Sequence, residues 1–296
     1  MSTNNPPQAL ASDHASPLAS RSSNEAGPTS MLSSVAPWDA VAAGYASKAV
    51  QISRAFCEAA LEIIPAGEGD NIADIACGPG TLSLLAAARG AQITAADFSL
   101  NMIEQLEKNV AVRNLANIRA VHCDGQDLPF DDDAFDAAFS MFGLMFFPDR
   151  AKGYAQMLRI LKRGARGCVS SWAPVAASPL IGAMWSSLRH VKPDLPEPTY
   201  DAASLENPDV LRKEMTDAGF RSVEIYSVRK TTRYASATSF WSDMSKASAP
   251  IAMLKAATTP DAWREKSDRA IRFLEETVGP FPTTLAATAH LGVGQK

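Results

Sequence analysis

Between Asn71 and Trp172 short apolar runs alternate with stretches of helical periodicity, and the links between them are short. The runs are Asn71 to Ala76, Gln92 to Ala96, Ile118 to Cys123, Phe135 to Ser140 and Gly167 to Trp172. Helices are expected from Thr81 to Arg89, from a Ser99 cap to Arg113, and from an Asp149 cap to Lys162. Strands that alternate with helices over short links must be joined by crossovers, so they build a mostly parallel sheet with helices on both faces. Two later runs, Val223 to Val228 and Ala286 to Val293, extend the expectation to a doubly wound α/β sheet of seven strands. Ligands of such sheets bind at the carboxyl ends of the strands, where the strand order reverses.

The flanks divide differently. Residues 1–34 are rich in Ser, Ala, Asn and Pro and poor in large apolar side chains, which predicts a disordered tail. Residues 35–66 read as amino-terminal cap helices, with helical spacing from Ser47 to Ile64 stopped by Pro65, and 67–173 as the binding core. Residues 174–200, with Pro179, Pro193, Pro196 and Pro198, read as an irregular lid, and Ala203 to Ala218 as a helix. Residues 236–281 form a helical insertion, so that 35–296 make one domain.

A net charge of −4 supplies no long-range field for phosphate backbones, so nucleic acid is not the expected substrate. No run approaches the ~20 apolar residues of a membrane span, and no signal-peptide block precedes the domain. The four cysteines, Cys57, Cys77, Cys123 and Cys168, match neither a zinc spacing nor a disulfide framework. Reduced thiols, a cytoplasmic setting and no metal are expected.

The first strand runs into Asp74-Ile-Ala-Cys-Gly-Pro-Gly80. A glycine turn after a parallel strand lets a ligand approach the backbone beside a helix amino terminus, a device that dinucleotide-binding proteins share. Here Ser83 stands where the dinucleotide pattern places its third glycine. Asp74 would repel a pyrophosphate but favour the ammonium and sulfonium of S-adenosylmethionine. Asp97 ends the second strand, where a carboxylate can accept both ribose hydroxyls of any nucleoside. Asp124 follows the third strand and can accept from an adenine amine.

With Asp97-Phe98-Ser99-Leu100-Asn101-Met102, Asp124 to Phe130, and Phe135-Asp136 leading to Phe147-Pro148-Asp149, the chain resembles the class I S-adenosylmethionine-dependent methyltransferases. It is most similar to the methyltransferase type 11 branch, which includes ubiquinone/menaquinone C-methyltransferase-like enzymes. The resemblance covers Trp38 to Trp172 and implies a Rossmann-like methyltransferase sheet. It implies that Cys77, Gly78 and Gly80 pass beneath the methionine moiety, that Phe98 and Met102 sandwich the adenine, and that Gly125 and Gln126 join Asp124 at its edge. Ser140 and Met141 would flank the sulfonium, while Trp38 and Tyr45 match aromatic positions of a helix that closes over the cofactor.

Methyl transfer from a sulfonium is an in-line displacement, so positioning and desolvation carry most of the acceleration and a base is needed only for a protonated acceptor. No catalytic residue is assigned; among the four histidines, His190 is a weak candidate base because it falls in the expected lid. The run Met141, Phe142, Leu144, Met145 and Phe146 and the stretch Leu180 to Trp185 point to a small hydrophobic acceptor, methylated on O, C or N. The competing expectations are a nicotinamide-dependent oxidoreductase and a cofactor-binding regulatory protein that does not turn over.

Overall fold

A computed structural model describes residues 31–198 and 201–296, the side chains of 31 and 43–51 excepted. Seven strands form one sheet: β1 (Asn71–Ile75), β2 (Gln92–Asp97), β3 (Ile118–His122), β4 (Phe135–Met141), β5 (Leu161–Trp172), β6 (Arg221–Tyr234) and β7 (Thr283–Gln295). Their order is β3-β2-β1-β4-β5-β7-β6, parallel from β3 through β5, with β7 antiparallel to both neighbours. The order reverses between β1 and β4, so the loops leaving the carboxyl ends of β1, β2, β3 and β4 gather at one place.

Both faces are covered, and alternate residues of each central strand point to opposite faces. Ile72, Phe139 and Cys168 join one buried cluster, under α1 (Ala36–Ile63), α2 (Thr81–Ala87), α3 (Leu100–Arg113), α5 (Pro179–Val191), α7 (Ala237–Ala247) and α9 (Pro260–Thr277). Ala73, Ala138 and Val169 join the other, under α4 (Arg150–Ile160) and α6 (Pro208–Asp217). The caps lie where the sequence placed them: Ser99 Oγ accepts from the Met102 N–H at 3.1 Å, and an Asp149 carboxylate oxygen from the Lys152 N–H at 3.1 Å.

Several boundaries differ for identifiable reasons. Helix α1 begins at Ala36, well before Ser47, because Pro37 in its first turn and the alanines that follow favour helix. The stretch expected to be irregular after Pro174 instead contains α5; Pro179 starts this helix rather than breaking it, and Leu180, Met184, Leu188 and Val191 bury one face. Helix α6 begins at Pro208, not Ala203, capped by the Asn207 side chain. Strand β5 starts at Leu161 and contains Gly164, at φ +82°, in the irregular stretch where its register with β4 shifts between Leu161 and Arg166. Strand β6 extends to Tyr234 along β7. The helical insertion after Ser236 consists of α7, α8 (Ala249–Ala256) and α9. Most of the expected tail lies outside the described residues, but Met31–Ser33 form a short turn that packs on the domain.

Candidate functional site

The loop after β1 turns sharply: Ala76, Gly78 and Gly80 all have positive φ, at 55°, 54° and 86°. At Gly80 a side chain would also place its Cβ 2.2 Å from Leu106 Cδ1, so the turn needs glycine for both conformation and space. Asp74 lies beneath the turn, 2% exposed, and its Oδ2 accepts from Ser83 Oγ at 2.6 Å and from the Ser83 N–H at 3.1 Å. Ser83 thus ties the first turn of α2 to β1, a task that a glycine at this position could do only through its backbone. Asp74 Oδ1 has no hydrogen bond among the described residues. Burial pushes this carboxyl up to about 6, against the pull of the Ser83 bonds.

Asp97, at the end of β2, holds two loops at once. Its Oδ2 accepts from the Gly78 N–H at 2.8 Å and its Oδ1 from the Ser99 N–H at 2.9 Å. Each oxygen keeps a second lone pair for a ligand hydroxyl. Burial raises this carboxyl too, to about 6. Ser99 in turn donates from Oγ to Asp39 on α1 at 2.5 Å, and Asn101 donates to the Asp39 carbonyl at 3.1 Å. These contacts latch the start of α1 beside the cleft.

Beyond β3, Asp124 Oδ1 accepts from the Gln126 N–H at 2.9 Å, and both its oxygens lie 3.1 Å from Gln126 Nε2. Gln126 Oε1 accepts from the Asp149 N–H at 2.9 Å. The Gln126 side chain is therefore engaged in holding Asp124 and the cap of α4. Between them Gly125 leaves no room for a side chain, since a Cβ would come within 2.4 Å of Phe147 and 3.0 Å of Ile75. Beyond β4, Phe142 has φ +61° and its N–H donates to Ser170 Oγ at 2.8 Å. Gly143 packs on the β1 loop so closely that a Cβ would meet that of Ala76 at 2.4 Å.

These loops border a cleft of about 1100 Å³ that opens to solvent. Of the residues singled out from sequence, Asp74, Cys77, Gly78, Asp97, Phe98, Met102, Asp124, Gly125, Gln126 and Met141 line it, as does Trp38. Gly80 shapes the turn from behind. Ser140 stands apart from the lining: it is fully buried, and its Oγ accepts from the Leu144 N–H at 3.0 Å, fixing the turn after β4 from within. The Tyr45 side chain lies outside the described residues. His190 is not brought to the cleft; it is exposed on α5, its ring stacked on Phe273 of α9 at 4.5 Å. Cys77 is buried in the wall, and burial pushes its thiol far above the ordinary range.

Sequence reasoning missed Leu32, Ser33, Ser53 and Cys57 in the wall. They come from the first turn and from α1, far from any motif, and no local pattern marks them. A second cavity of about 1120 Å³, lined in part by the Leu180 to Trp185 stretch and by the insertion after Ser236, shares Leu32, Trp38, Ser53, Phe142 and Phe146 with the cleft. Its remaining walls come from Ile52, Met145, Trp172, Ala173, Val175, Glu206, α5, the end of α7 and the start of α8. Trp172 stacks on Phe142 at 4.1 Å, and Trp38 packs on Phe146 at 5.2 Å, so aromatic rings stand where the two spaces meet. No group of three or more metal-ligating side chains occurs among the described residues, and no described helix is long and apolar enough to cross a membrane.

Comparison with known proteins agrees with this arrangement. Residues 72–164 match a family model described as a methyltransferase domain. A stretch of 101 residues is 46% identical to a demethylmenaquinone methyltransferase of Clavibacter sepedonicus, covering 33% of this chain and 39% of that one. The chain spans less than half the length of the curated relatives it matches. Among solved structures, the YcgJ protein of Bacillus subtilis is similar over 81% of this chain and 97% of its own, at 16% identity and a TM-score of 0.52. The [4+2]-cyclase SpnF is similar over 82% and 81%, at 18% identity and a TM-score of 0.52. At these identities the structural likeness concerns the fold, and one fold hosts many chemistries.

Proposed function

With residues 72–164 matching a methyltransferase domain, we propose that the chain is a class I S-adenosylmethionine-dependent methyltransferase that transfers a methyl group from S-adenosylmethionine to a small hydrophobic organic acceptor. The observation that carries the cofactor reading is the row of three carboxylates, Asp74, Asp97 and Asp124, at the ends of three adjacent strands in one cleft. Asp74 Oδ1 has no partner among the described residues and fits a cationic ammonium. The spare lone pairs of Asp97 fit the ribose hydroxyls, and the Phe98 and Met102 side chains fit the faces of a purine. Asp124, held by Gln126, fits its exocyclic amine. Gln126 acts in this reading through Asp124, because its own amide is already engaged.

Bound there, the cofactor supplies an electrophilic methyl group. The chain's own contribution is to hold, orient and dry the site. The acids fix a nucleoside along the strand ends, and Met141 and Phe142 present an apolar wall at the end of β4. Trp38, latched through Asp39, stands over the cleft. The adjoining apolar cavity supports a hydrophobic acceptor, and the likeness to a demethylmenaquinone methyltransferase supports a quinone-like one.

Ligand-induced thermal shift tests this directly. S-adenosylmethionine or S-adenosylhomocysteine at ~100 times its dissociation constant is expected to stabilise the folded chain by ~2.7 kcal/mol. Stabilisation by NAD(H) with no response to either compound would refute the assignment.

A further inference from the structure

Among the described residues, the apolar cavity beside the cleft has one charged side chain in its wall, Glu206. No Lys, Arg or His lines either space among the described residues; the ionisable side chains there are the carboxyls of Asp74, Asp97, Asp124 and Glu206 and the thiols of Cys57 and Cys77. Glu206 is half-buried on the loop before α6, and its carboxylate has neither a hydrogen bond nor an ion pair among the described residues. Its position is nonetheless fixed. The Glu206 N–H donates to Ser204 Oγ at 3.2 Å, and the next residue, Asn207, caps α6 by accepting from the Asp209 N–H at 3.0 Å. Burial and the nearby Asp201 raise its pKa, as expected of a carboxylate with no cation at hand. The same wall contains Ser248, 8% exposed, whose hydroxyl is buried without a partner.

A half-buried carboxylate with no protein partner among the described residues is solvated while the cavity is open, and an apolar ligand that strips this water imposes a cost unless it supplies a hydrogen-bond donor in its place. A ligand that accepts hydrogen bonds or carries negative charge would make the cost worse, and no described residue of the wall offers it a counter-charge. We propose that Glu206 is the polar anchor of the acceptor cavity, selecting an apolar acceptor with a hydrogen-bond-donating group, a hydroxyl or an amine, and rejecting carboxylate- and phosphate-bearing ones. This rests on the reading of the second cavity as the acceptor site. Glu206 acts here as a specificity residue, and the aromatic rings of Trp38, Trp172 and Trp185 give the acceptor's apolar body its contacts.

Isothermal titration of the full-length chain with four naphthalene probes of one size tests the proposal: a naphthol, a naphthylmethylamine, a naphthoate and methylnaphthalene. Each is titrated with and without S-adenosylhomocysteine, whose own affinity is measured on every protein. The naphthol or the amine is expected to bind about tenfold tighter than methylnaphthalene and the naphthoate at least as much weaker than either, a gap of ~1.4 kcal/mol per decade. Glu206→Ala should remove the preference for both donors. Glu206→Gln should remove only that for the amine, so the pair of variants tells a charge-paired amine from a hydrogen-bonded hydroxyl. Glu206→Asp, which keeps the charge, should preserve the ranking and shows that the loop tolerates substitution. Naphthoate binding as tight as the donors, a ranking unchanged in Glu206→Ala, or no probe binding at millimolar concentration would overturn the proposal. Failure of wild-type chain to bind S-adenosylhomocysteine would instead refute the cofactor assignment, and the probe ranking without it would still decide the role of Glu206.

Discussion

The two adjoining spaces are built in opposite ways. The cleft at the strand ends is lined by carboxylates and tight backbone turns, and nearly every part of it is held by a hydrogen bond from a neighbouring loop: Gly78 and Ser99 to Asp97, Ser83 to Asp74, Gln126 to Asp124. The second cavity is walled by rings and aliphatic side chains from helices distant in sequence, with Glu206 and a few hydroxyls as its polar groups. A hydrogen-bonded site needs particular residues at particular backbone positions, so it leaves a local signature. An apolar wall needs only volume, which many side chains can supply. The cleft is accordingly suited to one invariant ligand, while the cavity can change its occupant by exchanging side chains.

The largest expected effect breaks the cleft and spares the cavity walls. Gly80→Ala forces a Cβ against Leu106 in a left-handed backbone conformation. A loss of about 2–4 kcal/mol is expected from strain and overpacking, to be read as a shift in the denaturation midpoint together with loss of S-adenosylhomocysteine binding. A melting curve matching wild type would show that the turn is not under the constraint described.

Asp97→Ala follows. It leaves the Gly78 and Ser99 N–H groups without their acceptor and removes the proposed ribose contacts. Charge-assisted bonds are worth ~1.5–3 kcal/mol each, so cofactor affinity should fall by at least about tenfold. Titration showing unchanged affinity in a folded variant would remove Asp97 from the binding site.

Acid should sharpen the contrast further. Asp74 and Asp97 both titrate near pH 6, raised by burial. Between the ordinary carboxylate range and about 6 the folded chain holds more protons at these two positions than the unfolded chain does. Their contribution to stability therefore falls as pH rises through that window. Binding runs the other way: the ionised carboxylates are the ones that receive the ammonium and the hydroxyls, so cofactor affinity should drop as pH falls below about 6. Binding of a neutral probe such as methylnaphthalene in the apolar cavity should not follow this titration. Parallel pH series by calorimetry would expose a common dependence, which would contradict the separation of the two spaces.

The smallest effect belongs to His190. Its ring is exposed and stacked on Phe273, away from both spaces. His190→Ala should cost at most the ~0.5–1.5 kcal/mol of such a pair and leave transfer rates unaltered. A large fall in rate with intact cofactor binding would restore it as a base.

The cleft was legible because its residues lie within a few positions of strand ends that the periodicity already locates. Asp74, Asp97 and Asp124 were found in this way, and Ser99 and Asp149 as caps. Gln126 and Gly125 were placed at the right point, but their tasks, holding Asp124 and yielding space to Phe147, depend on contacts across the fold. Ser140 followed the same logic and was misplaced, because the alternation that turns Met141 toward the cleft turns its neighbour into the core. Prolines misled at α5, where Pro179 and Pro193 bracket a helix instead of dissolving one.

The sequence by itself determined the mostly parallel sheet and the acids at its strand ends, since crossover geometry and hydrogen-bond chemistry act over short stretches of chain. Only the tertiary structure decided which helices close the second cavity, that Leu32 and Cys57 reach the cleft, and that Glu206 stands in an apolar wall with no cation among the described residues. Those facts depend on how elements more than a hundred residues apart pack against one another, and packing volume leaves no periodic trace in the chain.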